Sequence, residues 1–321
     1  MKYVFGPVPS RRLGQSLGID LVPLKTCNWN CVYCQLGRTR PLTNGRKVFS
    51  PTEDILGEIR RALKLYTAGK IDWVTFVGSG EPTLHSDLGW LIRQVKMLTN
   101  LPVAVITNGS LLYLPEMRLE LSAADAVLPS LDTGNARLYR KINRPWPSLT
   151  FERLLGGLIA FRREYSGKLW VEVMLVNGLN DSVEALQEIA AALEKVRPDQ
   201  VHLLLPIRPP AESWVQPSDK SAVRRAQDIL GTVANVVTPD SVSEAAPLLV
   251  ENADDLELTI LGIVARHPMQ ENELSAILSR WPPEEVRHTL NLLLAAGKVQ
   301  IIKRYEQCFW SAAESFYEVK S

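Results

Sequence analysis

Between residues 16 and 240, short apolar runs rich in β-branched residues alternate with longer stretches of helical periodicity. The strand candidates are 18–22 (GIDLV), 73–77 (WVTFV), 103–107 (VAVIT), 126–131 (AVLPSL), 170–176 (WVEVMLV) and 201–205 (VHLLL). Helix-like stretches lie at 52–68, 86–99, 113–123, 149–166 and 182–196. Three of these open on N-cap signals: Ser50 before Pro51, Ser86 before Asp87 and Asp181 before Ser182. Repetition of strand, helix, strand predicts right-handed parallel crossovers. The strands are nearly continuous in apolar residues, as when both faces of a parallel sheet are covered. An open doubly wound sheet and a barrel both satisfy this pattern.

The text changes past residue 206. A proline-rich loop (PIRPPAESWVQP) precedes one more helix at 218–231 and a short apolar segment at 233–237. Residues 241–255 read as a linker that closes off a first domain at 1–240. From 256 to 321 the order is three helices bounded by Pro268, Pro282 and Pro283, then two short β segments beginning at AAGKVQII. That order resembles a winged helix. No internal repeat occurs at solenoid periods.

The 321 residues are 46% apolar and 22% charged, which excludes a disordered chain and a globally basic nucleic-acid binder. The longest apolar runs fall short of the roughly 18 residues a membrane span needs, and the opening MKYVFGPVPSRR lacks the apolar core of a signal peptide. A cytoplasmic protein is expected. Charge is uneven: residues 1–50 carry Lys2, Arg11, Arg12, Lys25, Arg38, Arg40, Arg46 and Lys47 against Asp20 alone, a net +7. Such a run is either a solvated basic face or a seat for an anionic ligand.

The same run surrounds the cysteines. Cys27, Cys31 and Cys34 lie within eight residues and Cys308 stands alone, a spacing that points to metal binding rather than a disulfide scaffold. Thiolates suit iron–sulfur clusters or zinc, and both normally take four ligands. Three local ligands leave one position open to a small molecule. The competing arrangement is a structural zinc ion whose fourth ligand is Cys308 or His85.

The segment TCNWNCVYCQLG, with Tyr33 before its last cysteine, resembles the CxxxCxxC signature of the radical S-adenosylmethionine (radical SAM) superfamily. Gly78-Ser79-Gly80-Glu81-Pro82, one βα unit later, resembles that superfamily's GGE motif. Glycines there let backbone approach a ligand, and a carboxylate can accept from a primary ammonium. The next strands end in Ile106-Thr107-Asn108-Gly109 and Ser130-Leu131-Asp132. The opening VFGPVPSRRLGQSLGIDLVPLKTC is similar to that of a radical SAM family near the wybutosine-type tRNA enzyme 4-demethylwyosine synthase, with agreement over about residues 3 to 207.

The resemblance implies a fold and a site. The fold is α/β, a partial (β/α)6 TIM-like barrel, here with the winged-helix domain appended. Cys27, Cys31 and Cys34 would bind three irons of a [4Fe–4S] cluster, whose fourth iron chelates the amino and carboxylate groups of SAM. Tyr33, Gly80, Glu81, Asn108, Ser130 and Asp132 would form the cofactor site, with Glu81 holding the methionine amino group. Glu172, Asn177, Asn180, Asp181 and Pro206 are weaker candidates, since Asn-Gly and Asn-Asp steps are often only turn chemistry.

The implied activity is one-electron cleavage of SAM to a 5′-deoxyadenosyl radical, which abstracts hydrogen from an RNA, a peptide or a small metabolite. An electron donor such as flavodoxin or ferredoxin would be a partner. No catalytic side chain is singled out. A single further cysteine excludes an auxiliary cluster, and Cys308 reads as a partly buried structural thiol. Residues 256–321 carry a net −1, which disfavours duplex binding and leaves docking of a protein, peptide or RNA to the winged helix. The basic stretch Arg137, Arg140, Lys141 and Arg144 reads as a solvated loop or, failing that, as a face for an anionic substrate. Two other functions use the same features: an iron–sulfur regulator that senses redox state and binds nucleic acid, and an activase for a glycyl radical enzyme.

Overall fold

The structure, a computed structural model, describes residues 1–10, 12–66, 69–238 and 255–317. Arg11, and all but the last residue of the expected linker at 241–255, lie outside them. The chain opens with β1 (Val4–Ser10) and β2 (Gly14–Ile19), followed by α1 (Thr52–Leu65), β3 (Trp73–Phe76), α2 (Leu88–Leu98) and β4 (Val103–Thr107). Then come α3 (Pro115–Leu121), β5 (Ala126–Pro129), α4 (Ala136–Ile142), α5 (Phe151–Glu164) and β6 (Lys168–Met174). α6 (Val183–Val196), β7 (Gln200–Leu204), α7 (Lys220–Leu230) and β8 (Val236–Val237) complete this part.

These eight strands form one sheet in sequential order, β1 antiparallel to β2 and every later neighbour parallel. A doubly wound sheet needs a reversal of strand order to cover both faces with helices, and there is none. All the crossovers therefore put their helices on one face, and the sheet curls so that its other face closes on itself. Side-chain packing agrees. Val74, Phe76, Val105, Val171 and Leu203 share a core with Leu56, Ile92, Leu158 and Ile189 of the helices. Leu13, Ala104, Ala126, Leu128 and Trp170 form a separate cluster on the inner face. β1 and β8 are the two edges of this incomplete barrel.

Several expectations shift. β1 and β8 add to the six strands read from the sequence. The strand expected at 18–22 runs instead over Gly14–Ile19, because Ser16 turns inward to meet Thr75 (Oγ to Oγ1, 2.6 Å) and Asp20 already belongs to the following loop. Ser50, Ser86 and Asp181 are not the caps: the N-cap positions are Pro51, Asp87 and Ser182, and Ser182 Oγ accepts from Ala185 N at 3.2 Å. In the basic stretch after Asp132, Arg137, Arg140 and Lys141 lie not in a loop but on α4, capped by Asn135, whose Oδ1 accepts from Leu138 N at 2.8 Å, and Arg144 lies just beyond its end.

The C-terminal unit contains α8 (Leu256–Val264), α9 (Glu271–Ile277), α10 (Pro283–Ala295), β9 (Val299–Arg304) and β10 (Gln307–Ala312). It has its own core, built from Ile260, Val264, Leu274, Leu290 and Trp310. Cys308 is exposed on β10, not partly buried as expected. His267, in the turn between α8 and α9, is partly buried and packs against Phe5 of β1. Burial, then the charges of Arg208, Arg266 and Arg12, holds its imidazole down at about 3. The unfolded chain protonates this group near 6.5, so its stabilising contribution is full above that pH and is lost as the pH falls toward 3. By pH 5 the loss is about 2 kcal/mol. Thermal unfolding of His267→Gln should show a flatter fall between pH 7.5 and 5 than the unaltered chain; equal slopes would contradict this assignment.

Candidate active site

The cysteine loop leaves β2 at Asp20 and is stitched at once to the turn that follows β3. Lys25 N donates to Ser79 O (2.6 Å) and Glu81 N donates to Thr26 O (2.9 Å). Gly80 is required by this approach: a Cβ there would lie 1.9 Å from Thr26 O, a backbone atom that cannot swing aside. Asp20 fixes the turn from beneath, accepting from Ser79 N (3.1 Å) and Ser79 Oγ (2.6 Å). Two segments some 50 residues apart in sequence thus act as one piece at the C-terminal ends of β2 and β3, where parallel α/β folds build their sites.

Each thiol meets a nitrogen donor. Cys27 Sγ receives Trp29 N (3.4 Å) and Asn108 Nδ2 (3.8 Å), Cys31 Sγ receives Asn143 Nδ2 (3.8 Å), and Cys34 Sγ receives Lys25 Nζ (3.0 Å). Donors of this kind favour thiolate over thiol, as a metal site needs. Without metal, burial and then the Glu81 carboxylate push Cys27 up to about 12, with Lys25 opposing, and burial raises Cys31 as well. Among the described residues no group of three His, Cys, Asp or Glu converges on a point where one metal ion would sit. A zinc ion needs all its ligands on one point, whereas a cluster takes one thiolate at each corner. His85 is committed elsewhere. It is fully buried beside α2, with Nε2 on Ser50 O (3.2 Å) and Nδ1 accepting from Asp87 N (3.2 Å).

Glu81 is 2% exposed and its carboxylate is occupied. Oε1 accepts from Thr83 N (3.1 Å), Thr83 Oγ1 (2.6 Å) and Thr107 Oγ1 (2.6 Å), and Oε2 accepts from Asn108 N (2.7 Å). Burial raises its pKa while these donors, Asn108 foremost, oppose the shift. Asn108 continues the chain of contacts through Asn28 Oδ1 (2.7 Å), and Asn28 Nδ2 reaches Ser110 Oγ (2.9 Å). On the other side of the loop, Asp132 collects Tyr33 Oη (2.5 Å), Asn143 Nδ2 (2.6 Å) and Met174 N (2.8 Å). Asn143 Oδ1 is buried with no hydrogen-bond partner, beside Cys31.

The candidates from the sequence therefore divide. Tyr33, Gly80, Glu81, Asn108 and Asp132 come together around the three cysteines. Ser130 lies at the end of β5, in the ladder opposite Glu172, and Glu172 pairs with Arg12. Asn180 supports the site from behind, donating to Asp132 O and Met174 O (both 2.8 Å). Asp181 accepts from Gly178 N and Ser218 Oγ, which is turn chemistry. Asn28, Thr83, Thr107 and Asn143 were missed. Asn28 sits inside the cysteine motif and Thr107 directly precedes Asn108, so adjacency alone could have found those two.

Comparison with known proteins gives a consistent picture. The model of the Radical SAM superfamily matches residues 21–192. The UPF0026 protein MJ1312 of Methanocaldococcus jannaschii is 35% identical over 284 residues, covering 87% of each chain. A protein of Brachyspira hyodysenteriae named GTPase Obg is 37% identical over 300 residues, 93% of this chain, which spans 43% of that relative's length. Among solved structures, TYW1 with a lysine-pyruvate adduct bound superposes with a TM-score of 0.50 at 17% identity, over 68% of this chain and 74% of that one. No helix among the described residues is long and apolar enough to cross a membrane.

Proposed function

Because the chain belongs to the radical SAM superfamily, enzymes that use a [4Fe–4S] cluster and SAM, we propose that Cys27, Cys31 and Cys34 hold that cluster here. When bound, the pair supplies reductive cleavage of the sulfonium and, from it, hydrogen abstraction from a substrate. The observation that carries the reading is the set of three thiols, each with its own nitrogen donor, on a loop locked against the Gly80–Glu81 turn.

The chain's own residues do the positioning. Gly80 keeps the turn close enough to share the cofactor. Glu81, its oxygens already engaged, braces that turn against the end of β4 so that the ammonium of SAM meets a rigid edge. Tyr33 and Asn143, both on Asp132, fix the far side of the loop, and the unpartnered Asn143 Oδ1 is available to a donor on the bound cofactor. Asn108 steadies Cys27. The substrate is an RNA, a peptide or a small metabolite. The reductant is a low-potential flavodoxin or ferredoxin of the cytoplasm, and the C-terminal unit has the element order of a winged helix. The GTPase name of the Brachyspira relative carries no weight here, as the sequence holds no GxxxxGK[ST] phosphate loop.

Anaerobic reconstitution with iron and sulfide, followed by SAM and dithionite, should release 5′-deoxyadenosine. Reconstituted protein that neither binds nor cleaves SAM would remove the proposal. A finer expectation concerns Lys25, whose ammonium lies 3.0 Å from Cys34 Sγ. Its pKa stays raised: burial lowers it, but the cysteine charges outweigh that. A nearby, partly buried cation stabilises the more negative, reduced cluster. Lys25→Met should therefore lower the midpoint potential, by on the order of 100 mV for a charge a few ångströms away at intermediate dielectric. Potentiometric titration followed by EPR measures this, and an unchanged potential would exclude Lys25 as a tuning charge.

A further inference from the structure

The barrel is open between β1 and β8, and the C-terminal unit touches both β1 and the segment that follows β7. On the β1 side, Arg266 Nη2 donates to Lys2 O (2.9 Å), its guanidinium lies 4.7 Å from the centre of the Phe5 ring, and His267 packs against the same ring at 6.2 Å. On the other side, the segment after β7 is tied in: Arg208 donates to Pro268 O, and Tyr305 Oη donates to Pro206 O (2.7 Å).

The same unit grips both halves of the candidate site. Arg266 Nε donates to Asp20 Oδ2 (2.9 Å), the oxygen that also takes Ser79 Oγ from the Gly78–Glu81 turn. Gln35, next to Cys34, donates from Nε2 to Arg266 O (3.0 Å) and lies 3.2 Å from His267 Nδ1. The C-terminal tail then lies along the cysteine loop: Tyr317 Oη donates to Gln35 O (2.6 Å) and Arg38 N donates to Phe316 O (2.6 Å). Gly37, at φ +82°, presses so closely on Phe316 that a Cβ would meet its carbonyl oxygen at 2.5 Å. These pairings join positions more than 230 residues apart, and the ion pair with Asp20 is largely buried, with side-chain exposures of 12% and 5%.

We propose that the C-terminal unit is a fixed wall of the active site, and that Arg266 is a positioning residue that acts through Asp20 and Ser79 on the turn receiving the methionine end of SAM. This rests on the radical SAM reading for the identity of the ligand, while the clamp itself rests on the contacts alone. A module tethered for docking elsewhere would not need these contacts. Removing Arg266 leaves the Asp20 carboxylate buried without its charge partner, and the turn it holds gains freedom.

The test uses the full chain in two states. In the metal-free protein, hydrogen exchange by mass spectrometry should show amides at 78–81 exchanging about tenfold faster in Arg266→Ala, as expected for loss of a charge-assisted hydrogen bond. Arg266→Lys should fall between the two. In the reconstituted protein, Arg266→Ala should raise the KM for SAM about tenfold or more while iron content stays at the unaltered level. Arg287→Ala, at an exposed pair with Glu271 in the same unit, is the control for both. Wild-type exchange and wild-type KM in Arg266→Ala would overturn the proposal. Should that variant fail to fold, Tyr317→Phe removes a single hydroxyl and should speed exchange at 35–38 by about fivefold; no change there would overturn it equally. If the exchange results hold but even the unaltered protein is inert toward SAM, the wall stands and the radical SAM reading falls.

Discussion

Alanine at Cys31 is expected to abolish release of 5′-deoxyadenosine while leaving the chain folded. Cys31 is the middle thiol of the three, and its sulfur receives Asn143 Nδ2 at 3.8 Å. With each thiolate binding a separate iron, the loss of one leaves a corner with no protein ligand. Changes at residues that merely support a ligand cost about 10- to 100-fold, so the ligand itself should cost more than about a thousandfold. Asn143→Ala should fall within the supporting range. The fold has little at stake, because Cys31 is only partly buried at the margin of the core, and the loss should be about 1 kcal/mol. Chromatographic assay of 5′-deoxyadenosine, iron analysis and circular dichroism of the metal-free protein read these three quantities. Cys308→Ser, exposed on β10, should match the unaltered chain in all of them. Release at the normal rate from Cys31→Ala would remove the cluster assignment.

The alternation of strand and helix was legible because parallel crossovers leave a strong apolar record: β4 over Val103–Thr107 matches its expected span. β1 was illegible for a local reason. Its sequence VFGPVPS holds one glycine and two prolines, which argue against a strand except at a sheet edge, and an edge is where it lies. α4 was hidden because four cations in eight residues read as solvated surface, although Tyr139 and Ile142 of the same stretch are buried. At the site, spacing within one loop was enough to group the three cysteines. It could not show that Tyr33 meets Asp132 99 positions away, or that Arg266 meets Asp20 across 246. Such pairings follow from which strands are neighbours and from how the C-terminal unit seats against the edge, and neither is written in any local pattern. The Glu81 carboxylate is the sharpest case. Its motif suggested a group reaching toward a ligand, and its geometry is that of a brace.

That difference makes Glu81 the second large expectation. Replacing it with Leu deletes acceptors for Asn108 N, Thr83 N and the hydroxyls of Thr83 and Thr107 at once. Hydroxyls can turn to other partners but a buried N–H cannot, so a loss of about 3–5 kcal/mol is expected, at about 1–3 kcal/mol for each stranded donor. Glu81→Gln keeps one carbonyl oxygen for Asn108 N and offers an amide that the two threonine hydroxyls can accept. Only Thr83 N is then stranded, facing the amide, so the loss should be about 1–3 kcal/mol. Acidity adds a further distinction. Burial raises the folded-state pKa of Glu81, so the stability tied to its protonated form is complete below the ordinary carboxylate pKa and is lost as pH rises through the raised one. Gln does not titrate, and the gap between Glu81→Gln and the unaltered chain should narrow as pH rises from 4 to 7 in denaturant titrations. The two roles then separate in SAM binding. A brace predicts a KM for Glu81→Gln within about fivefold of normal, because the turn keeps its shape. A carboxylate that grips the ammonium directly predicts that Gln loses as much as Leu, since the lost charge, worth about tenfold or more, is the same in both.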